Sequence, residues 1–238
     1  MFIQQLGTLE PFTCMSVLEE CVRFYTYSKF KMVATEMDDH IVTTHLQNCL
    51  KYLVELYRVH IGSFDDVKLQ SCLHVYASYV LLNIHQPDII LSVFDMLPSN
   101  VRCQEPLRQA LGLAIAALNQ NYLRVFRYVD DFHCSRNFYL LMSVYNHLTE
   151  FRANFLRTLS FSHHSKACKF PISVLSKWLC LTEAQTAELC RSHGLTIIGK
   201  DFVKFFKTDF TKPCNTKHEC LLYCDIIKVC DTIALHSL

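Results

Sequence analysis

Metal ligation is the first chemistry that the side chains suggest. Cys214, His218, Cys220 and Cys224 form a C-x3-H-x-C-x3-C run, and His163, His164 and Cys168 form a second soft cluster. Zinc asks for four nitrogen or sulfur ligands converging tetrahedrally, usually with a C-x2-4-C knuckle. The run near the C-terminus is more compressed than that, so free thiols on a closing amphipathic segment account for it better. No metal or other cofactor is expected. Asp130, Asp131 and His133 make an acidic–histidine group at what reads as a turn between helices, where capping carboxylates are common. Loops that cradle nucleotides need closely spaced glycines, and the 5 glycines here are dispersed, which excludes G-x-G-x-x-G and the P-loop. G-x-S-x-G and H-E-x-x-H are absent too. The chain does not read as an enzyme.

Basic residues offer a different chemistry. Between Lys166 and Lys217 nine Lys or Arg stand against four Asp or Glu, although the whole chain carries only +1. Within that stretch Arg191, Lys200, Lys204 and Lys207 could contact nucleic-acid phosphates as positioning contacts that carry no base information. Ile197, Phe202 and Phe205 interleave with them and could dock a partner protein. A solvated basic surface, a phosphate surface and a protein-docking surface all remain open on these counts.

The elements that position those residues are legible in local signals. Pro171 suits the first residue of a helix, since its missing N–H costs nothing there. Ile172, Leu175 and Leu179 follow at helical spacing, with Trp178 beside them. Thr182 and Gln185 spell a capping box for a second helix, and Gly194 marks its stop. Leu195–Ile198 and Phe202–Phe206 are β-rich runs around Gly199–Lys200, a pair suited to a type II′ turn. Helix, helix and two-stranded wing is the order of a winged helix, expected over residues 169–210.

Ahead of it lie αα-hairpins of unequal sequence over residues 1–168. Residues 1–13 read as a lead-in. A helix from Val17 puts Val17, Cys21, Phe24, Tyr25, Ser28 and Met32 on one side, and its many aromatics suggest cover on more than one face. Thr43 or Thr44 caps the next helix, which buries Leu46, Cys49, Leu50, Leu53 and Tyr57. Asp65 or Asp66 opens a third, Pro87 a short fourth, and Pro98–Asn100 is a turn. The cleanest period runs through Leu107, Ala110, Leu111, Ala114, Ile115 and Leu118. Helices over Tyr122–Val129 and from Arg136 to about Ser160 complete the set. The expected fold is mainly α: a stacked αα-hairpin repeat closed by a C-terminal winged helix with a small β-hairpin, then a tail, 211–238, of unassigned structure.

Composition agrees. Hydrophobic content of 51% with only 5 Gly and 6 Pro fits dense helical packing. The apolar runs fall short of the roughly 20 residues that span a bilayer, so no membrane partner is expected. Thirteen cysteines, an odd number scattered singly, suit reduced thiols in the cytosol or nucleus rather than a disulfide framework.

Several blocks carry a resemblance. Cys21–Ser28 (CVRFYTYS), Thr44–Leu50 (THLQNCL), Ala116–Phe126 (AALNQNYLRVF), Phe170–Pro171 and Leu189–Leu195 (LCRSHGL) are similar, in order, to the Sac-three/GANP homology domain. The first, second and last look most like its small animal branch. The resemblance implies a PCI-type fold, a non-enzymatic scaffold, and partners comprising a second PCI-domain protein and a small acidic DSS-type subunit, with RNA held on paired winged helices. It implies a role in nuclear mRNA export within a TREX-two-like complex. The alternative it implies is an adaptor in centrosome duplication and mitotic spindle organisation that binds no nucleic acid. Localisation would be nucleus and cytoplasm, or centrosome and spindle. Family members carry further helices, including a basic stretch, ahead of the CVRFYTYS block. The chain is therefore expected to be truncated at its N-terminus.

Overall fold

The computed structural model describes residues 10–34, 38–164, 168–206 and 210–211. It is mainly helical with a small antiparallel sheet, in the order α1 (Pro11–Ala34), α2 (His40–His60), α3 (Asp66–Leu82), α4 (Pro87–Met96), α5 (Ser99–Arg102), α6 (Leu107–Leu118), α7 (Tyr122–Cys134), α8 (Phe138–Ser162), β1 (Phe170–Pro171), α9 (Ile172–Leu179), α10 (Glu183–Ser192), β2 (Thr196–Ile198) and β3 (Phe202–Lys204). Among the described residues no helix is long and apolar enough to cross a membrane. The chain divides into two compact units: Met1–Asn119 with Tyr139–Asn146, and Gln120–Phe138 with His147–Leu238.

In the first unit, α1 and α2 form an antiparallel-type hairpin pairing of neighbours in sequence, with Tyr25 stacked on His45 at 5.7 Å between ring centroids. The helix begins at Pro11 rather than Val17, and Thr13 N–H donates to the Glu10 carboxylate at its start. Its buried stripe is Met15, Leu18, Val22, Thr26 and Phe30, so the face read from sequence is displaced, and Phe24 stands 64% exposed. The displacement has a reason: the stripe contains Thr26 and is flanked by Glu19, polar residues that an apolar count passes over. Glu19 is itself buried. Its carboxylate accepts from Tyr57 Oη, from Lys68 Nζ at 2.7 Å and from Ser71 Oγ at 2.9 Å. One buried charge is thus paired and multiply hydrogen-bonded, the condition under which burial is tolerated.

Asp65 caps α3 by accepting from Lys68 N–H at 2.7 Å, as its sequence position predicts. Thr43 and Thr44 do not cap α2: both sit inside it, donating back to the Asp39 carboxylate and the His40 carbonyl. Ser99–Arg102 is a short helix rather than a plain turn. On α6, Leu107, Ala110, Leu111 and Ala114 are buried as expected, whereas Ile115 and Leu118 remain about two-fifths exposed.

The second unit begins well ahead of residue 169, where the winged helix is expected to start. The physical reason is that α7 and the later turns of α8 pack with α9. Arg152 Nε donates to the Leu179 carbonyl at 3.3 Å, and Cys180 Sγ donates to the Phe126 carbonyl at 3.4 Å. Phe155 meets both Phe126 and Trp178 edge-on. Asp130, Asp131 and His133 are exposed in the last turns of α7, inside the helix and not beyond it.

Candidate nucleic-acid and partner interface

Among the described residues three strands make the sheet, in the order β1-β3-β2, all antiparallel. With β1 ahead of α9, the unit reads helix, strand, helix, helix, strand, strand, which is a fuller winged helix than the sequence suggests. Pro171 sits in β1 and at the N-cap of α9 rather than inside the helix. The capping box forms: Gln185 N–H donates to Thr182 Oγ1 at 3.3 Å, and Thr182 N–H donates to Gln185 Oε1 at 2.7 Å. Gly194 has φ +77°. Leu195 N–H reaches the Cys190 carbonyl and Gly194 N–H the Arg191 carbonyl, each at 2.9 Å. That pair of bonds is a Schellman stop, which glycine adopts without steric penalty. Gly199 opens the hairpin turn at φ +63°.

Strand alternation sorts the candidate residues onto two faces. Val203 pairs with Phe170 on one side and Ile197 on the other. Val203 is fully buried, so this is the inward face. Pro171, Phe202 and Ile198 form the neighbouring row, on the outward face with Lys204. Phe202 is 37% exposed there. Lys200 stands exposed in the turn, and Arg191 is exposed in the last turn of α10, where a cation also complements the helix carbonyls. Lys204 is half-buried. Lys207 lies outside the described residues.

Phe205 is corrected by this geometry. It is 1% exposed and packs on Phe170 at 5.9 Å, in a ring cluster with His163 and Trp178. Two residues on from buried Val203, it continues the inward face and is not available to a partner. Ile197 likewise turns its side chain inward, beside Val203. Its peptide group is what remains offered: Ile172 N–H bonds the Asp201 carbonyl, which sets the alternation and leaves the Ile197 N–H and C=O on the edge of β2 that no described strand pairs.

Sequence reasoning passed over Lys169. It is exposed one residue ahead of β1, and alternation brings it to the outward side shared with Lys204. The outward residues of α10 are mixed in sign, with exposed Glu183 at one end and Arg191 at the other. The basic character therefore belongs to the sheet and its turn, not to the helix a duplex groove would admit.

His163 and His164 are spent on ring packing, against Phe170 at 5.4 Å and Phe206 at 5.9 Å. Among the described residues no group of three His, Cys, Asp or Glu side chains converges as metal ligands would. Cys214, His218, Cys220 and Cys224 lie outside them. Burial pushes the Cys180 thiol up to about 11, with Asp130 adding to it, and pushes Cys190 up to about 12. Thiols so protonated are packing groups, not nucleophiles.

The SAC3/GANP family profile matches residues 1–199. The chain belongs to the SAC3/GANP family. The match runs from the helices of the first unit through α10 and β2, ending at the hairpin turn. No individual curated protein matches the sequence.

Proposed function

We propose that this SAC3/GANP chain is a non-enzymatic scaffold in nuclear mRNA export, holding a second PCI-domain protein and a small acidic DSS-type subunit and contacting RNA. The observation that carries the reading is the family match over residues 1–199. Its RNA component is supported by the outward sheet face, where Lys204 and Phe202 share a side, and by Lys200 exposed at the adjoining turn. Lysines there position a phosphate backbone without reading bases. The free edge of β2 at Ile197, with Phe202 beside it, is the docking element for the partner's own winged helix.

The test is a filter-binding titration with single-stranded RNA at about 50 and about 200 mM salt. It is run with and without the partner PCI subunit. A steep salt slope that requires the partner supports a composite basic surface. Replacing Lys200, Lys204 and Lys207 by Glu then weakens binding and flattens the slope. Binding and slope unchanged in that triple variant remove RNA from the proposal. No binding in either set moves the assignment to a spindle and centrosome adaptor.

A further inference from the structure

A groove of about 520 Å³ lies within the second unit, between the Gln120–Tyr122 turn and the last turns of α8. Its volume is that of a site for a small organic group. Four features give it chemistry. Phe161 is 50% exposed at its rim. Arg157, one turn earlier on the same helix, is exposed and makes no ion pair or hydrogen bond among the described residues. Asn154 and Thr158 line it from α8, and Gln120 lines it from the turn. The Tyr122 ring is only 8% exposed, so it supplies a floor more than a rim. Burial pushes its phenol up, partly offset by the neighbouring Asn154 carboxamide.

The turn that completes the groove is strained. Gln120 holds φ +55°, a left-handed conformation that a non-glycine residue adopts at a cost. Asn121 beside it is committed to capping α7 through Arg124 N–H at 3.2 Å. The strained turn thus puts one exposed carboxamide among the lining residues. No carboxylate is among the lining residues, although Glu150 lies near enough to Tyr122 to push its phenol up further.

A planar ring, a guanidinium one helical turn away with no partner among the described residues, and two carboxamides match the parts of one nucleotide. The base would stack on an aromatic face, the phosphate would take a charge-assisted bond, and amides would meet the base edge or sugar. A peptide groove would instead present alternating apolar pockets or an open strand edge. We propose that this groove binds one nucleotide of an unpaired RNA strand, with Phe161 stacking the base, Arg157 holding the phosphate, and Gln120 and Asn154 meeting the base. The choice of RNA as ligand rests on the function proposed above; the site itself is separate from the hairpin lysines.

The test uses the intact chain and a fluorescein-labelled single-stranded RNA of about ten nucleotides, within the usual span of a single-strand site. Arg157→Gln, Phe161→Ala, Phe161→Trp and the pair Lys200→Glu with Lys204→Glu are titrated by anisotropy, and each variant's thermal melt is taken to confirm folding. Loss of one stacked base should weaken binding about fivefold or more in Phe161→Ala, with Phe161→Trp near wild type. Arg157→Gln should weaken it and lower the salt slope by about 0.7. If only the hairpin pair weakens binding, the groove proposal fails and the hairpin reading stands. Weakening by the groove variants alone has the opposite meaning. No RNA binding by the wild type overturns the groove proposal, and the titration with the partner PCI subunit then decides the hairpin reading separately. AMP and UMP form a separate arm: if either binds more tightly than the strand, the groove is a free-nucleotide site and the strand assignment is overturned.

Discussion

The two units solve the problem of specifying a fold differently. The first relies on long helices whose buried stripe includes polar groups, with Glu19 held by Tyr57, Lys68 and Ser71. The second relies on short elements whose ends are fixed by local chemistry: a capping box at Thr182, a Schellman stop at Gly194 and a glycine turn at Gly199. Apolar periodicity misplaces a helix face where the core carries charge. In the second unit cap and turn chemistry locates ends within a residue or two even in elements of eight or ten residues.

That contrast can be broken or sharpened by experiment. The largest effect is common to both units. Burial holds the thiols of Cys49, Cys180 and Cys190 at about 11, 11 and 12, above the ordinary 9.0, and raises Cys72 as well. All are protonated in both states below the ordinary value. Above it the unfolded chain ionises first, so stability is full below pH 9.0 and falls as pH rises towards about 12. Chemical denaturation across that window should show the decline, and a flat profile would contradict the burial of these groups. In the first unit, Lys68→Ala strands the Glu19 carboxylate and should cost about 3 kcal/mol in urea titration. Pairing Lys68→Met with Glu19→Leu should recover much of it, because an apolar replacement removes both charges. In the second unit Gly194→Ala should cost about 1–2 kcal/mol, from the left-handed backbone alone. Thr182→Ala should cost about 1 kcal/mol. Should Thr182→Ala match Lys68→Ala, the proposed difference between charge-held and cap-held units is wrong. Smallest of all, Lys200→Glu should leave the melting temperature within about 1 °C, since exposed charge changes cost at most a few tenths of a kcal/mol.

Legibility in the sequence followed the reach of each signal more than the unit it lies in. Thr182, Gln185, Gly194 and Asp65 announce their roles because the signal lies within four residues of the bond it makes. The first strand, Phe170–Pro171, leaves no such signal: two residues have no period, and proline fits a helix start as readily as a strand. Its existence depends on Phe202 and Val203, more than thirty residues later. The inward turn of Phe205 could have been read, since Phe202 and Lys204 alternate with Val203 and Phe205. What obscured it was weighing Phe205 by type instead of by phase. The Phe161 groove was illegible for a further reason, since it joins one turn to a helix some thirty residues away and owes part of its shape to a strained Gln120.

Among the described residues the sheet has one closed edge and one open edge. Pro171 places its nitrogen, which has no hydrogen to give, on the free side of β1, while Ile197 keeps both its N–H and its C=O on the free side of β2. Growth of the sheet is therefore one-sided. Two such sheets that meet along β2 would show only proline-blocked strands to the outside, and assembly would end at a pair. A fibre, which needs two receptive edges per subunit, has no way to propagate through this element.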